Sequence, residues 1–282
     1  MFIGFDIGGT KTRIAASRDC KEFVGEPKII ETPKDFTEGM KQFAEIVKEL
    51  CQGESVEMAG GGIAGPIDKE RGCLLNSPNI PLWIGEPLRD ELSKALNAPV
   101  HIENDTAIVG MGEAHFGAGR GEEIGVYVTV STGVGGVRIV DGSIDKNAYG
   151  FEIGHQIVDP TKTLCKNCEG PELEHLISGT ATEHRFGVKA YEVKDENLWN
   201  EELPHWLALG LTNTILHWSP HVVVLGGSMI VGEPSINIEK TEEHLQEHLT
   251  IFPKLPKIKK AELEDLGGVY GALAFLDQHR KK

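Results

Sequence analysis

The sequence has little positive charge and no long apolar run. Its 28 lysines and arginines stand against 43 aspartates and glutamates, so the formal net charge is −15. This balance argues against a general surface for nucleic acid or anionic membranes, although a local phosphate pocket is still compatible with it. A membrane-spanning helix needs about 20 mostly apolar residues, and no stretch approaches that length. The N-terminus shows no signal-peptide pattern, so we expect a cytoplasmic protein that binds neither nucleic acid nor membrane.

Cysteine is also scarce. The five cysteines are Cys20, Cys51, Cys73, Cys165 and Cys168. Their odd number and scattered spacing do not fit a disulfide framework. Only the last two form a close pair, and Cys-x-x-Cys is typical of either metal binding or redox chemistry.

Segments typical of strands alternate with segments of helical periodicity, and no internal repeat or low-complexity tract is visible. The predicted strands after the opening hairpin are 56–63, 100–103, 126–130, 136–140 and 221–225. The predicted helices are 36–50, 88–96, 106–114, 204–216 and 238–249, with a closing helix that begins over 268–275. This alternation predicts an α/β protein of 282 residues, long enough for one large domain or two ordinary ones.

The opening segment predicts a strand, a glycine turn and a second strand. Main-chain N–H groups in such a turn can approach an anion closely, and hydroxyls and a cation follow the glycines. The turn residues are Gly8, Gly9, Thr10, Lys11 and Thr12. Asp6, just before the turn, could face Mg²⁺ directly or through water. The turn is not a Walker loop, which has Gly before the Lys and a helix after it. An ordinary hairpin that binds nothing is the alternative.

Two later glycine turns extend this pattern. Thr132 and Gly133 lie in the second, Ser-Thr-Gly-Val-Gly-Gly, which could cradle phosphates. Gly226 and Gly227 close a later apolar strand, and this third turn could flank an adenine or a ribose. A fourth glycine run, 60–65, matches the dinucleotide fingerprint, but Pro-Ile-Asp follows it instead of an amphipathic helix. We therefore expect a sharp loop lining a cleft there.

Two groups of polar residues are candidates for chemistry. Asn104 and Asp105 fall where a predicted strand meets a helix, and the Asp105 carboxylate is either a general base towards an alcohol or a cap of that helix. Glu152, His155 and Glu174 offer several acceptors for the hydroxyls of a sugar. A histidine and two cysteines would supply three of the four ligands of a tetrahedral zinc site.

Eight motifs in this order resemble the ROK (repressor, open reading frame, kinase) family of sugar kinases. Between Asp6 and Gly227 the chain carries Asp-Ile-Gly-Gly-Thr-Lys-Thr, Gly-x-Ala-Gly-Pro-Ile, Ser-Pro-Asn, Glu-Asn-Asp, Glu-Ala-x-x-Gly-Ala-Gly, Ser-Thr-Gly-x-Gly-Gly, Glu-Ile-Gly-His and Leu-Gly-Gly. The resemblance implies a two-lobed, actin-like (ribonuclease H-like) α/β ATPase fold with a cleft between the lobes. We expect a small lobe over 1–107, completed by a C-terminal helix at about 270–282, and a large lobe over 108–269.

The resemblance also implies roles for the candidate residues. Asp105 matches the catalytic base. The matches to sugar ligands are Asn104, Glu152, His155 and Glu174, with Gly62 and Asn79 in motifs that line the same pocket. The first phosphate loop is matched by Gly8, Gly9, Thr10, Lys11 and Thr12, the second by Thr132 and Gly133, and the nucleotide loop by Gly226 and Gly227.

One departure from the family pattern concerns zinc. The family carries His and then Cys-x-Cys-Gly-x-x-Gly-Cys-x-Glu, whereas aligning on Glu174 puts Glu172 at the third cysteine and Cys168 one position late. Two alternatives are open for the loop 155–174. One is a zinc ion on His155, Cys165 and Cys168 with Glu169 or Glu172 as the fourth ligand, and the other is loss of the metal. The presence of zinc matters for sugar binding, because zinc on one imidazole nitrogen of His155 would orient the ring so that the other nitrogen faces a sugar hydroxyl.

Together these features predict an ATP- and Mg²⁺-dependent hexose kinase, glucokinase-like, that converts glucose to glucose 6-phosphate. The alternatives are an N-acetylhexosamine kinase for ManNAc or GlcNAc, a non-catalytic sugar-binding protein on the same fold, and a Cys-x-x-Cys redox protein. The family resemblance implies a homodimer or homotetramer. Asp6 lies almost at the N-terminus, so we expect no DNA-binding domain of the kind that precedes the family's repressors.

Overall fold

The computed structural model describes residues 1–77 and 79–281, and strands and helices alternate along them. The strands are β1 (Phe2–Ile7), β2 (Lys11–Ser17), β3 (Lys28–Glu31), β4 (Met58–Ile63), β5 (Ile67–Asp68), β6 (Cys73–Leu74), β7 (Val100–Asn104), β8 (Ile124–Val130), β9 (Val134–Val140), β10 (Ser143–Ile144), β11 (Val222–Gly226) and β12 (Lys257–Lys260). The α-helices are α1 (Phe36–Cys51), α2 (Leu88–Leu96), α3 (Asp105–His115), α4 (Leu173–Ile177), α5 (Gly179–Phe186), α6 (Leu203–Trp218), α7 (Ser228–Val231), α8 (Ile238–His248) and α9 (Gly267–His279). Short 3₁₀ helices span Pro81–Trp83, Ile153–His155, Ala190–Glu192 and Glu264–Leu266, and a π-helix spans Leu198–Glu202.

The chain divides into two compact units. The first comprises Met1–Gly117, Lys146–Gly150 and the segment from Leu263 onwards, and the second comprises Ala118–Asp145 and Phe151–Glu262. Each unit has its own apolar core. The predicted lobes over 1–107 and 108–269, with the closing helix, stay a prediction, and Pro78 of the Ser-Pro-Asn motif and Lys282 lie outside the described residues.

Each unit is built on a mixed five-stranded sheet with the same pattern of pairing. The first sheet has the order β3-β2-β1-β4-β7, and the second has the order β10-β9-β8-β11-β12. In both, the first two pairs are antiparallel and the last two are parallel. The two sheets therefore share one topology, although no internal repeat is visible in the sequence. The predicted α/β class is confirmed.

Close backbone packing explains the glycine run over 60–65. Gly61 lies in β4, where a Cβ atom would come within 1.8 Å of the Phe5 carbonyl oxygen on β1. Gly60 and Gly62 belong to the same central strand, and the chain turns only near Gly65, which has a positive φ. The expected sharp loop is therefore a strand over its first four residues, and β5 rather than a helix comes next.

Helix α6 differs from the predicted amphipathic helix over 204–216. Nine of its sixteen residues are buried, because α6 packs against α4 and α8 in the core of the second unit. Its buried side is therefore broader than an amphipathic stripe. Among the described residues, no helix is long and apolar enough to cross a membrane.

Candidate active site

The carboxyl ends of the three parallel strands in the first sheet bring candidate residues to one edge. Asp6 on β1 pairs in register with Gly62 on β4, and Gly62 pairs with Glu103 on β7. Asp105 follows β7 directly as the first residue of α3. Ligands of open α/β sheets bind at such an edge. Asp6, Gly62 and Asp105 are thus brought together within the first unit.

Asn104, not Asp105, caps helix α3. Its Oδ1 accepts a hydrogen bond from the Ala107 N–H at 3.2 Å, and its Nδ2 donates to the Gly65 carbonyl at 3.2 Å. Asp105 Oδ1 accepts from the N–H of the next residue, Thr106, at 2.7 Å. Asp105 could have capped the helix through its side chain, but Asn104 performs this role. Asn104, a predicted sugar ligand, has a structural role in this geometry.

Burial raises the pKa of both carboxyl groups at this edge. The pKa of Asp105 is raised to about 7, mainly by burial and then by the negative charge of Asp6, against the hydrogen bond from Thr106. The pKa of Asp6 is raised to about 6 by burial, against the stabilising charge of Arg13. A carboxyl group with a pKa near neutrality can exchange a proton with substrate under ordinary conditions.

Arg13 has no role that was predicted from the sequence, but the structure pairs it with Asp6. It lies opposite Asp6 on β2, and its Nη1 is 3.3 Å from Asp6 Oδ2. Its Nη2 is 3.4 Å from Asp265 Oδ1, and Lys11 Nζ is 4.0 Å from the other oxygen of Asp265. The Thr-Lys-Thr-Arg sequence could have indicated this role. Alternate residues of a strand share one face, so Arg13 lies on the same face of β2 as the phosphate-loop candidate Lys11.

The first glycine turn connects β1 and β2. Gly8 N–H donates to the Lys11 carbonyl at 3.0 Å, and Thr10 and Lys11 are exposed. Thr12 is buried, and its hydroxyl shares a 3.0 Å hydrogen bond with Thr32. Its predicted contact with phosphate is therefore less direct than that of Thr10 or Lys11. Asn79 lies against this turn, because a Cβ atom added to Gly9 would come within 2.2 Å of the Asn79 Cβ.

The second and third glycine turns meet at the equivalent edge of the second sheet. Gly226 pairs with Thr129 across the parallel strands β11 and β8. Gly227 has a positive φ of 86°, and a Cβ there would lie 2.3 Å from the Val130 carbonyl oxygen. Only glycine fits both conditions without strain. Thr132 and Gly133 come shortly after Val130, so the two predicted nucleotide turns are brought together.

Glu152, His155 and Glu174 gather around the start of β9. Gly154 packs so tightly on this strand that a Cβ would lie 2.2 Å from the Val134 carbonyl oxygen. Glu174 Oε2 accepts from the Val134 N–H at 2.7 Å. Burial raises the pKa of Glu152, and the Glu174 charge adds to this, while His155 opposes it. These sugar-ligand candidates and the second turn therefore share one region of the second unit.

The cysteine pair in the loop 155–174 forms a disulfide between Cys165 and Cys168, which the sequence did not predict. Among the described residues, no group of three or more His, Cys, Asp or Glu side chains is arranged to hold a metal ion. His155 instead bonds through Nδ1 to Glu172 Oε2 at 2.8 Å, and this bond raises the pKa of the imidazole. In this arrangement the residues do not fit the zinc ion that the resemblance implies.

Comparisons with known proteins identify the family and several relatives. A family model described as ROK family matches residues 2–279. The glucokinase of Thermotoga maritima is 36% identical over 196 residues, which cover 67% of this chain but only 61% of that protein. The N-acetyl-D-glucosamine kinase of Vibrio cholerae is 29% identical over 304 residues, covering 98% of this chain and 99% of that protein.

A solved structure gives the likeness in three dimensions. The ROK hexokinase from Thermus thermophilus has a TM-score of 0.83 and 29% identity, and the match covers 99% of both chains. The predicted actin-like α/β fold is thereby confirmed.

Proposed function

This chain belongs to the ROK family of sugar kinases, and we propose that it transfers the γ-phosphoryl group of ATP to the 6-hydroxyl of glucose. The observation that carries the proposal is the pair Asn104–Asp105. Asn104 caps α3, so the Asp105 carboxylate at the carboxyl end of β7 is not needed for that task. Its pKa of about 7 suits a general base.

In the proposed reaction, Asp105 accepts the proton of the attacking sugar hydroxyl. Phosphoryl transfer depends on positioning and on charge stabilisation, with a base that orients the nucleophile. A positioned base contributes roughly 10²–10⁴ in rate. The Thr106 N–H, 2.7 Å from Asp105 Oδ1, holds the carboxylate in one orientation.

The glycine turns are proposed to hold the nucleotide. The backbone of Gly8 and Gly9, with exposed Thr10 and Lys11, suits phosphate oxygens. Thr132 and Gly133 would supply the second phosphate loop, and Gly226 and Gly227 would face the nucleoside. The buried carboxylate of Asp6 offers the oxygen ligand that a hard cation prefers. When bound, Mg²⁺ neutralises charge on the phosphate oxygens of ATP.

In the first unit, we propose that Asn104 contacts sugar hydroxyls, with Gly62 and Asn79 as further lining residues. In the second unit, the proposed sugar ligands are Glu152, His155 and Glu174. Carboxylates accept hydrogen bonds from hydroxyls, and an imidazole with one protonated nitrogen accepts at the other. The grouping of three of these residues around Val134 supports this assignment.

The second candidate is an N-acetylhexosamine kinase. It is favoured by the match over nearly the whole chain to a relative named N-acetyl-D-glucosamine kinase, whereas the glucokinase match covers 61% of that protein. The two substrates differ at the 2-position of the sugar, so a direct comparison of kcat/KM separates them.

The test is a coupled assay of ADP release with Mg-ATP and a sugar panel of glucose, mannose, fructose, GlcNAc and ManNAc. We expect the highest kcat/KM with glucose, and the Asp105→Asn variant should lose most of it. Asp90→Asn, on α2 in the same unit with its side chain largely in solvent, is the matched control and should retain full activity. A preference for GlcNAc or ManNAc would establish the second candidate, and sugar binding without ADP release would indicate a non-catalytic protein.

A homodimer or homotetramer is also part of the proposal, on the family resemblance alone. Light scattering of the purified protein measures the assembly directly. A monomer at all concentrations would contradict it.

A further inference from the structure

A short stretch of backbone pairing brings His155 and Glu172 side by side. Val158 and Asp159 N–H groups both donate to the Pro171 carbonyl, at 2.9 and 3.0 Å. Ile157 and Glu172 form an antiparallel bridge next to this pairing. The placement of Glu172 beside the imidazole is therefore built into the backbone and does not depend on side-chain rotamers alone.

The hydrogen bond between the two side chains decides the state of the ring. His155 Nδ1 lies 2.8 Å from Glu172 Oε2, and an ionised carboxylate can only accept. Nδ1 must therefore carry the proton, which leaves Nε2 as the ring nitrogen that can meet a sugar hydroxyl. A carboxylate partner of this kind fixes both the tautomer and the orientation of an imidazole.

The loop between the paired segments is held together by its own groups. The Asp159 carboxylate accepts from three backbone N–H groups, those of Thr163, Leu164 and Cys165, at 2.8, 2.9 and 3.3 Å. These bonds lower the pKa of Asp159, although burial opposes them. Lys162 Nζ donates to the Glu169 carbonyl at 3.1 Å, and the Cys165–Cys168 disulfide closes the turn between them. Side chains and a disulfide thus perform the ordering that a metal would otherwise supply.

We propose that Glu172 is the positioning residue for His155, and that it orients the ring by a hydrogen bond in place of zinc. The proposal rests on the proposed role of His155 as a sugar ligand. It accounts for a departure in the sequence, because the family pattern has a cysteine where this chain has Glu172. His175 Nδ1 is 3.8 Å from the same Glu172 oxygen, beyond hydrogen-bond distance, so His155 is the ring that Glu172 holds.

The first experiment compares steady-state kinetics of Glu172→Ala, Glu172→Gln and a control. In metal sites, loss of a partner that orients a ligand residue typically costs about 10–100-fold, and we take this range for the imidazole here. We expect Glu172→Ala to raise the KM for the sugar by about that factor, with kcat and the KM for ATP nearly unchanged. Glu172→Gln keeps an acceptor oxygen and should recover most of the affinity. Glu183→Ala removes another carboxylate of the second unit, paired with Lys189 at 2.7 Å, and should leave all constants unchanged.

The second experiment does not depend on turnover. Metal analysis of the purified protein should find no stoichiometric zinc, and dialysis against a zinc chelator followed by return of Mg²⁺ should leave the calorimetric Kd for the sugar unchanged. Ring ¹⁵N spectra of the wild-type protein at about pH 9 should show His155 protonated at Nδ1, and Glu172→Ala should abolish that preference.

Bound zinc with reduced Cys165 and Cys168, or an unchanged sugar KM in Glu172→Ala, would overturn the proposal. If no sugar is phosphorylated, the proposed function fails. The metal analysis and the ring spectra then still test the pairing on its own.

Discussion

Gly62 and Asp105 lie so close that a methyl group on Gly62 would come within 2.8 Å of the Asp105 Cα atom. Gly62 is on the central strand β4, and its neighbour β7 leads directly into Asp105. The contact is with backbone, which cannot swing aside as a flexible side chain would. Any residue larger than glycine at this position must therefore displace the start of α3 and the candidate base with it.

The first prediction is that Gly62→Ala lowers kcat by about tenfold to a hundredfold, because a displacement of about 1 Å in an active site can cost about 10²-fold. Steady-state kinetics on the best sugar measures it. Gly125→Ala on β8 is the control, since a Cβ there would lie 3.6 Å from a Val222 methyl group, an ordinary contact. A Gly62→Ala enzyme with normal kcat would show that the placement of Asp105 does not matter.

The second prediction concerns the base itself. Asp105→Asn keeps the shape of the side chain but cannot accept the proton, so we expect kcat to fall by roughly 10²–10⁴. Sugar affinity should stay within about tenfold, roughly 1.4 kcal/mol, because the substituted group acts mainly in the transition state. Rapid-mix turnover and calorimetric sugar binding measure the two quantities. Near-normal turnover would reduce Asp105 to a structural residue.

The third prediction separates capping from catalysis. Asn104→Ala removes the side-chain oxygen that accepts from the Ala107 N–H, and such caps are worth about 0.5–2 kcal/mol. Chemical denaturation should therefore show a lower free energy of unfolding for Asn104→Ala than for the wild type. Asp105→Asn should change the free energy of unfolding less. The reverse order would assign the cap to Asp105 and weaken its role as base.

The fourth prediction is a pH profile. Burial and the charge of Asp6 raise the pKa of Asp105 from 3.8 to about 7, and only the carboxylate form accepts a proton. We expect kcat/KM for the sugar to be constant above this value and to fall about tenfold per pH unit below it. Residual activity of Asp105→Asn should lack this acid limb. An acid limb that begins only near pH 4 would mean that Asp105 is not buried as described, or is not the base.

Local sequence patterns were enough to predict much of the fold. Helix α2 has the predicted bounds because its apolar spacing and its flanking residues agree. Strands β3 and β12 were not predicted, since they are short, lie at sheet edges and are partly exposed, and an edge strand needs no alternating pattern. The glycine turns were predictable because backbone geometry there depends on local residues.

The parts of the site that the sequence did not predict depend on contacts between distant segments. His155 and Glu172 are 17 positions apart, and only the pairing of the segments around them brings their side chains together. Arg13 forms an ion pair with Asp6, and this contact depends on the pairing of the two neighbouring strands. The sequence left open whether Asp105 caps this helix or acts as a base. Asn104 is the cap because the helix begins at Asp105, one residue earlier than the predicted start at Thr106.

The last prediction concerns stability, at a histidine cluster away from the candidate site. His205 on α6 packs against His244 and His248 on α8, with ring centroids 4.9 and 5.7 Å apart. Burial lowers the pKa of His205, the two neighbouring imidazoles lower it further, and Glu247 opposes them. The folded state therefore binds the proton on His205 less readily than the unfolded chain, whose pKa is about 6.5.

The sign of the effect follows from this difference. The stabilisation from a neutral His205 is present above about pH 6.5 and is lost as the pH falls below that value, because the unfolded chain then takes up more protons. We expect the free energy of unfolding, measured by chemical denaturation, to decline between about pH 7 and 5.5. His205→Asn should flatten part of this decline, whereas His217→Asn, at an exposed position on the same helix, should not. An identical decline in both variants would mean that other groups cause the loss of stability in acid.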